Sequence, residues 1–500
     1  MTLADMFASV VRAHGPRPAI VESGETMTYA ALDERVRHLA GALEAIGVKP
    51  GHSVALILPN GASFVVAYFA SLAVGGVVVP VNDAYAEREQ VRLLRETGAG
   101  CVIGSPDREP ELRSMLSTLD GSVKLLVLGH AGVVAHARSS PAPSPGGLAH
   151  GDAAAMYQFS SGSTGRPKRI ARTHEQLLAE LTALTRALAL SSVDRFLGAA
   201  PFSHVNGLVR TMLSSIHAGG TLYPVAKFDR HAVARLIEEH RLSVFIAVPF
   251  MFAMLARSNV RRMPDLSSLR LCISASAPFP LALNAAFRER FGMHVRQLYG
   301  STETGSISAN LCADVSQSLD AVGTPLPGVD VRVRAVDGSE AGPDEVGEIA
   351  VKSPFAITAY DDASASGGDE VFRDGYFMTG DLGRMDAEGR LYLVGRTKLL
   401  INRGGYKVNP REVEEVLESH PNVNEAVVLG MPTAYGDERI RAVVVPRGPC
   451  TELELVEYCR LRIAAFKVPS TIELRDTLPR SAAGKVRRDL LRQSPGRCAC

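Results

Sequence analysis

Short, wholly apolar runs set between helix-spaced segments constrain this chain more than any other feature. The run Val54-Ala55-Leu56-Ile57-Leu58 follows a segment in which Leu32, Val36, Leu39, Ala40 and Leu43 recur at helical spacing, closed by Gly47 and Gly51. The pattern continues with a helix from Ala62, a strand at 77–79, a helix near 88–97 and a strand at 99–103. It resumes with a helix over 174–190 and strands at 244–248, 271–274 and 295–299. Strands without polar alternation are covered on both faces, which predicts an α/β architecture with mostly parallel sheets. Residues 64–81 are almost wholly apolar and nearly long enough to span a bilayer. Gly75-Gly76 interrupts them and Val77-Val78-Val79 precedes Pro80, so they read as a buried helix, a glycine turn and a buried strand.

Five hundred residues exceed what one hydrophobic core usually supports, so at least two domains are expected. Residues 322–389 are richer in Gly, Asp and strand signals, the mark of a β-rich subdomain. Beyond Arg396 an α/β pattern restarts: a helix at 413–417, strands at 426–428 and 442–445, and a helix over 452–466. The expected division is a large domain over 1–395, of stacked α/β subdomains plus the β-rich one, and a small α+β domain over 396–500. A hydrophobic content of 46% and a formal charge of +1 predict a soluble globular protein with no nucleic-acid surface. Seven scattered cysteines, none in a C-x-x-C pair, predict reduced thiols in a cytoplasmic protein. No signal peptide or membrane span is expected. The Ser/Pro/Gly-rich stretch 139–147 reads as a linker.

Between two strand-like runs lies Ser160-Ser161-Gly162-Ser163-Thr164-Gly165-Arg166-Pro167-Lys168. Glycines let the backbone approach a ligand, and hydroxyls with free N–H groups can surround phosphate oxygens. The Walker spacing is absent, and Pro167 prevents a clean helix start. By composition alone, a polar surface turn explains this loop equally well.

Five further signatures follow it in order: Pro201-Phe202-Ser203-His204, Tyr299-Gly300-Ser301-Thr302-Glu303, Thr379-Gly380-Asp381, Gly395-Arg396-Thr397-Lys398 and Gly484-Lys485. Together with Thr28-Tyr29 and Leu58-Pro59-Asn60 they resemble the adenylate-forming, or AMP-binding, enzymes over nearly the whole chain, in particular free-standing acyl- and aryl-CoA synthetases. The resemblance implies a two-step reaction. A carboxylate attacks the α-phosphate of MgATP, and a thiol then displaces AMP from the acyl-adenylate.

What the resemblance implies for each residue can be set against the chemistry. The 160–168 loop, with Lys168, would hold the β- and γ-phosphates, and Thr164 with Glu303 would serve Mg²⁺, a hard cation that takes oxygen ligands. Thr302 would neighbour the α-phosphate. Gly300 and Ser301, with Ser276-Ala277-Pro278, would line the nucleotide site. Tyr299 would offer a flat surface to adenine. Asp381 suits the ribose diol, and Arg396 a ribose or phosphate contact. His204 would lie beside the acyl pocket. Lys485 would screen the repulsion between carboxylate and phosphate. Lys398 would be the hinge of a mobile small domain, which swings to bring Gly404-Gly405, narrow enough for a pantetheine arm, to the site.

Gly404-Gly405-Tyr406-Lys407-Val408-Asn409-Pro410 looks like free-standing acyl-CoA synthetases, whereas Arg172-Thr173-His174 and Ile401-Asn402-Arg403-Gly404 resemble aryl-acid activating enzymes, some of which load a separate carrier protein. Coenzyme A and a carrier's phosphopantetheine both stand as acceptors. A catalytically dead nucleotide-binding protein is the alternative from another class, disfavoured by the intact Glu303, Asp381 and Lys485. Asp229 after Phe228 is not read as an amino-group anchor. The pocket segments 204–207, 247–249, 274–278 and 299–305 show no obvious cation for a second carboxylate, so the expected acid is a medium-chain or aromatic monocarboxylic acid.

Overall fold

A computed structural model describes residues 1–119, 123–129, 132–133, 149–160, 168–258, 262–277, 279, 281–335, 337–361, 371–396, 401–408, 410–433, 437–479, 486 and 488–493. The 139–147 linker lies outside these residues.

The chain builds two large sheets. In the first, seven strands include Ser53–Ile57, Val77–Pro80, Cys101–Gly104 and Lys124–Gly129, which pair in parallel. Ala154–Ser160 joins them in parallel and turns back antiparallel into Lys168–Thr173. The predicted glycine turn is present: helix Ala62–Ala73 is buried nearly throughout, and Gly75 takes φ +72° before strand Val77–Pro80. Among the described residues no helix is long and apolar enough to cross a membrane.

Among the described residues the second sheet has 14 strands. One half is parallel, through Arg195–Gly198, Val244–Ala247, Leu271–Ala275 and Arg296–Ser301. At Gly305–Ala309 pairing turns antiparallel and runs into the β-rich segment, where Gly347–Lys352, Tyr376–Met385 and Leu391–Arg396 lie side by side. That switch from parallel to antiparallel pairing sets 300–303 and 379–381 against one cleft.

From Ile401 onward the strands form sheets of their own, Ile401–Arg403 with Tyr406–Val408, and Val423–Pro432 with Glu438–Pro446 and Thr471–Leu474. They enclose a separate apolar core that includes Val413, Leu417, Val428, Val444 and Cys459. One expectation is corrected here. The helix read over 452–466 ends at Arg460, because the chain breaks off to dock a short 3₁₀ turn, Ala465–Lys467, against the large domain. Backbone N–H of Ala464 donates to Glu89 at 2.6 Å.

Candidate active site

A cavity of about 260 Å³ opens between the large domain and the 401–479 segment. It brings together Lys168, His204, Ser276, Gly300, Ser301, Thr302, Glu303, Asp381, Gly404 and Gly405, residues up to 237 positions apart in sequence, from Lys168 to Gly405. The loop 161–167, including Ser161, Gly162, Ser163, Thr164 and Gly165, lies outside the described residues, as do Pro278, Lys398 and Lys485. Ser160 and Arg396 are described by backbone alone; Arg396 pairs with Asp381 across neighbouring strands.

The loop leading to His204 is held by Asn60. Its Nδ2 donates to the carbonyls of Gly198 (3.1 Å) and Ala200 (2.8 Å), and its Oδ1 accepts the Phe202 N–H at 2.8 Å. His204 Nε2 lies 3.3 Å from Asn82 Nδ2, and its ring meets Tyr406 edge-on, centroids 5.1 Å apart. Burial pushes its imidazole down to about 4, and Lys467 adds in the same direction. His204 is therefore a neutral wall residue at physiological pH.

Glu303 accepts a hydrogen bond from Tyr360, whose hydroxyl is held protonated first by burial and then by Glu303. Lys168 Nζ sits 4.2 Å over the Tyr360 ring. Tyr360 thus links the cation and the carboxylate, and no motif signalled it. Tyr299 corrects an expectation. Its ring is 6% exposed and packs with Ile307, Val322 and Leu391, and its hydroxyl donates to Asp381 Oδ2 at 2.7 Å. It positions Asp381 instead of presenting an open aromatic face. Ser276 takes φ +74°, a region that favours glycine, so its backbone is held there at a cost in strain. Ala277 follows it, half-buried.

The expectation of a pocket without a cation is also corrected. Arg210, 2% exposed, lines the cavity from a six-residue π-helical turn, Leu208–Leu213. The segment 205–213 also carries Asn206, Gly207 and Thr211, so no local signal marked Arg210 as a pocket residue. By contrast, Asp229 caps helix Arg230–His240 and His174 Nδ1 accepts the Leu3 N–H at 3.2 Å; both are structural.

At the domain boundary Lys467 is paired with Glu412 (2.8 Å) and with Glu89. Burial alone would lower its pKa, but Glu412 and Glu89 outweigh that and keep it charged. Tyr406 stacks on Phe466 at 3.9 Å and shares a hydrogen bond with Asn82. Gly405, at φ +85°, lies so close to Val248 that a Cβ would fall 2.4 Å from its Cγ1.

Fold and cleft together define a two-domain enzyme whose site is shared between domains. The family described as AMP-binding enzyme matches residues 7–360, and its C-terminal domain family matches 412–485. A feruloyl-CoA synthase of Amycolatopsis is 33% identical over 96% of both chains. The o-succinylbenzoate CoA synthetase of Bacillus subtilis, as a double mutant bound with its product analogue, superposes with a TM-score of 0.87 at 29% identity, covering 98% of each chain. The same enzyme in complex with AMP gives 0.71, again over 98% of each chain. The chain belongs to the AMP-binding enzymes. Within them it is an AMP-forming acid–thiol ligase of the acyl-CoA synthetase type.

Proposed function

We propose that this chain joins a carboxylic acid to coenzyme A through an acyl-adenylate, and that the domain arrangement described above is the one used for the thioester step. The observation that carries the second statement is Gly404-Gly405-Tyr406 lodged on the cavity wall against Val248 and His204. The higher similarity to the relative bound with a product analogue than to the same relative with AMP supports it. Gly404 and Gly405, both at left-handed φ, present backbone alone to the cavity, which suits a thin pantetheine arm. Coenzyme A is favoured over a carrier protein because Gly404-Gly405-Tyr406-Lys407 looks like free-standing CoA synthetases.

In the first half-reaction the acid's carboxylate oxygen bonds to the α-phosphorus of ATP and the bond to the pyrophosphate oxygen breaks. Lys168 and the 160–168 loop carry the charge of the departing pyrophosphate, and Asp381, set by Tyr299, takes the ribose hydroxyls. Glu303 faces the same cleft as Lys168, so one carboxylate beside substrate phosphates fits Mg²⁺, which binds through one or two carboxylates plus phosphates. When bound, the ion neutralises phosphate charge. In the second half-reaction the thiol sulfur bonds to the acyl carbon and AMP leaves. The neutral His204, held by Asn82, is a wall beside that path.

Glu303→Gln should lower ATP–pyrophosphate exchange by about 100-fold and raise the Mg²⁺ concentration needed for half-maximal rate. An unchanged Mg²⁺ dependence would refute the metal role. Glu89→Ala leaves Lys467 with Glu412 alone at the domain boundary. Thioester formation from a supplied acyl-adenylate should fall by about 10-fold while exchange is retained; a fall in exchange instead would contradict the arrangement. The ligase reading itself is tested by incubating enzyme, ATP and acids with coenzyme A or a holo-carrier: acyl-CoA is expected, and carrier loading alone would favour the other acceptor.

A further inference from the structure

Three buried charged side chains, one lining the cavity and two behind it, do not balance. Arg172 and Glu180, both fully buried, pair at 2.8 Å. The second Glu180 oxygen accepts the Ser306 N–H (2.9 Å) and hydroxyl (2.8 Å), and Ser306 Oγ in turn accepts from Arg210 Nε at 3.0 Å. One carboxylate therefore serves two guanidinium groups. Burial pushes Arg210 down to about 10, Glu180 opposing and Arg172 adding, so it stays charged at neutral pH. The other carboxylates of this cleft near the nucleotide side, Glu303 and Asp381, are engaged by Tyr360 and Tyr299.

Arg210 Nη2 is buried without a hydrogen-bond partner, and so are both Nδ2 and Oδ1 of Asn206, one helical turn earlier. Both residues line the cavity. A Cβ on Gly300 would fall 2.5 Å from Nη2, so only glycine there lets the guanidinium reach this wall. Unpaired buried polar groups and charges are strongly unfavourable, and π-helical turns such as the one carrying Arg210 occur often at functional sites.

We propose that Arg210 and Asn206 form an anion subsite in the acyl pocket, and that the acid activated here is a dicarboxylic acid whose second carboxylate pairs with Arg210. This rests on the ligase reading above. The reacting carboxylate is a poor occupant, because it loses its charge on becoming the adenylate and would leave Arg210 buried and unpaired. A second carboxylate keeps its charge through both half-reactions.

The test is ATP–pyrophosphate exchange over sets of acids sharing one aliphatic or aromatic skeleton, each as the dicarboxylic acid, its monomethyl ester and the monocarboxylic acid. Wild type should favour the dicarboxylic member by about 100-fold in kcat/KM, chiefly through KM. Arg210→Met should bring that ratio near parity, Arg210→Lys should restore part of it, and Asn206→Ala, which keeps the charge, should reduce it about 10-fold. A thermal unfolding scan establishes that each variant is folded. Wild-type preference for the neutral members, or an equal loss on all acids in Arg210→Met, overturns the subsite while leaving the ligase reading intact. No exchange with any acid overturns both.

Discussion

Replacing Lys485 by alanine should reduce acyl-adenylate formation by about 100- to 1,000-fold and leave thioester formation from a supplied acyl-adenylate nearly unchanged. The reason is electrostatic. A carboxylate approaching a triphosphate meets a strong repulsion that grows until the new bond forms, and a cation placed between the two lowers the barrier where the negative charges are closest. The second half-reaction has no such meeting of anions, since the acyl carbon of the adenylate is neutral and the attacking group is a single sulfur. Lys485 falls within the matched C-terminal domain family, whose described residues at the cleft include Glu412 and Lys467 beside Gly404 to Lys407. Exchange of pyrophosphate into ATP measures the first step, and thiol-dependent release of AMP from a synthetic acyl-adenylate measures the second. Equal loss in both would remove Lys485 from the adenylation role.

Gly405→Leu should give the opposite pattern. A Cβ at this position would lie 2.4 Å from Val248 Cγ1 and 3.0 Å from its Cβ, and the backbone at φ +85° disfavours any side chain. Overpacking of this kind costs about 1–3 kcal/mol, and the backbone strain adds a similar amount. The clash exists only when the small domain sits as described here, so the thioester step should slow by at least about 30-fold while ATP–pyrophosphate exchange continues. Gly404→Ala is the control: nothing lies within 4 Å of its Cβ, so it carries the φ +57° strain without the clash. If Gly405→Leu impaired exchange as much as thioester formation, this domain arrangement would not be the one used for the second step. Lys485→Ala and Gly405→Leu together ask whether one small domain serves two half-reactions with two faces.

The motif signatures that implied this chemistry are local in sequence, and most of the described ones meet in one cleft. They were legible because each needs a particular backbone or a particular atom: glycine at a left-handed φ, a carboxylate, an ammonium. Arg210 is not legible in the sequence for the same reason in reverse. Within Val205-Asn206-Gly207-Leu208-Val209-Arg210 nothing local distinguishes a pocket cation from a surface one, since the charges facing it, Arg172 and Glu180, come from a distant strand and helix. Tyr360 and Lys467 escaped likewise. Each acquires meaning only through a partner more than fifty positions away, Glu303 for the first, Glu89 and Glu412 for the second.

By itself, then, the sequence determined the alternation of buried strands and amphipathic helices, the separate C-terminal core and the family chemistry. These follow from apolar periodicity and from short runs whose function is carried by their own backbone. Tertiary structure alone decided that Tyr299 turns inward to hold Asp381, that the helix after Glu452 stops at Arg460 so that Ala464 can reach Glu89, and that a buried arginine lines the cavity with one buried carboxylate shared between it and Arg172. Charge balance in a buried cluster is a property of three dimensions, because it depends on which side chains share the low-dielectric interior and not on their order along the chain.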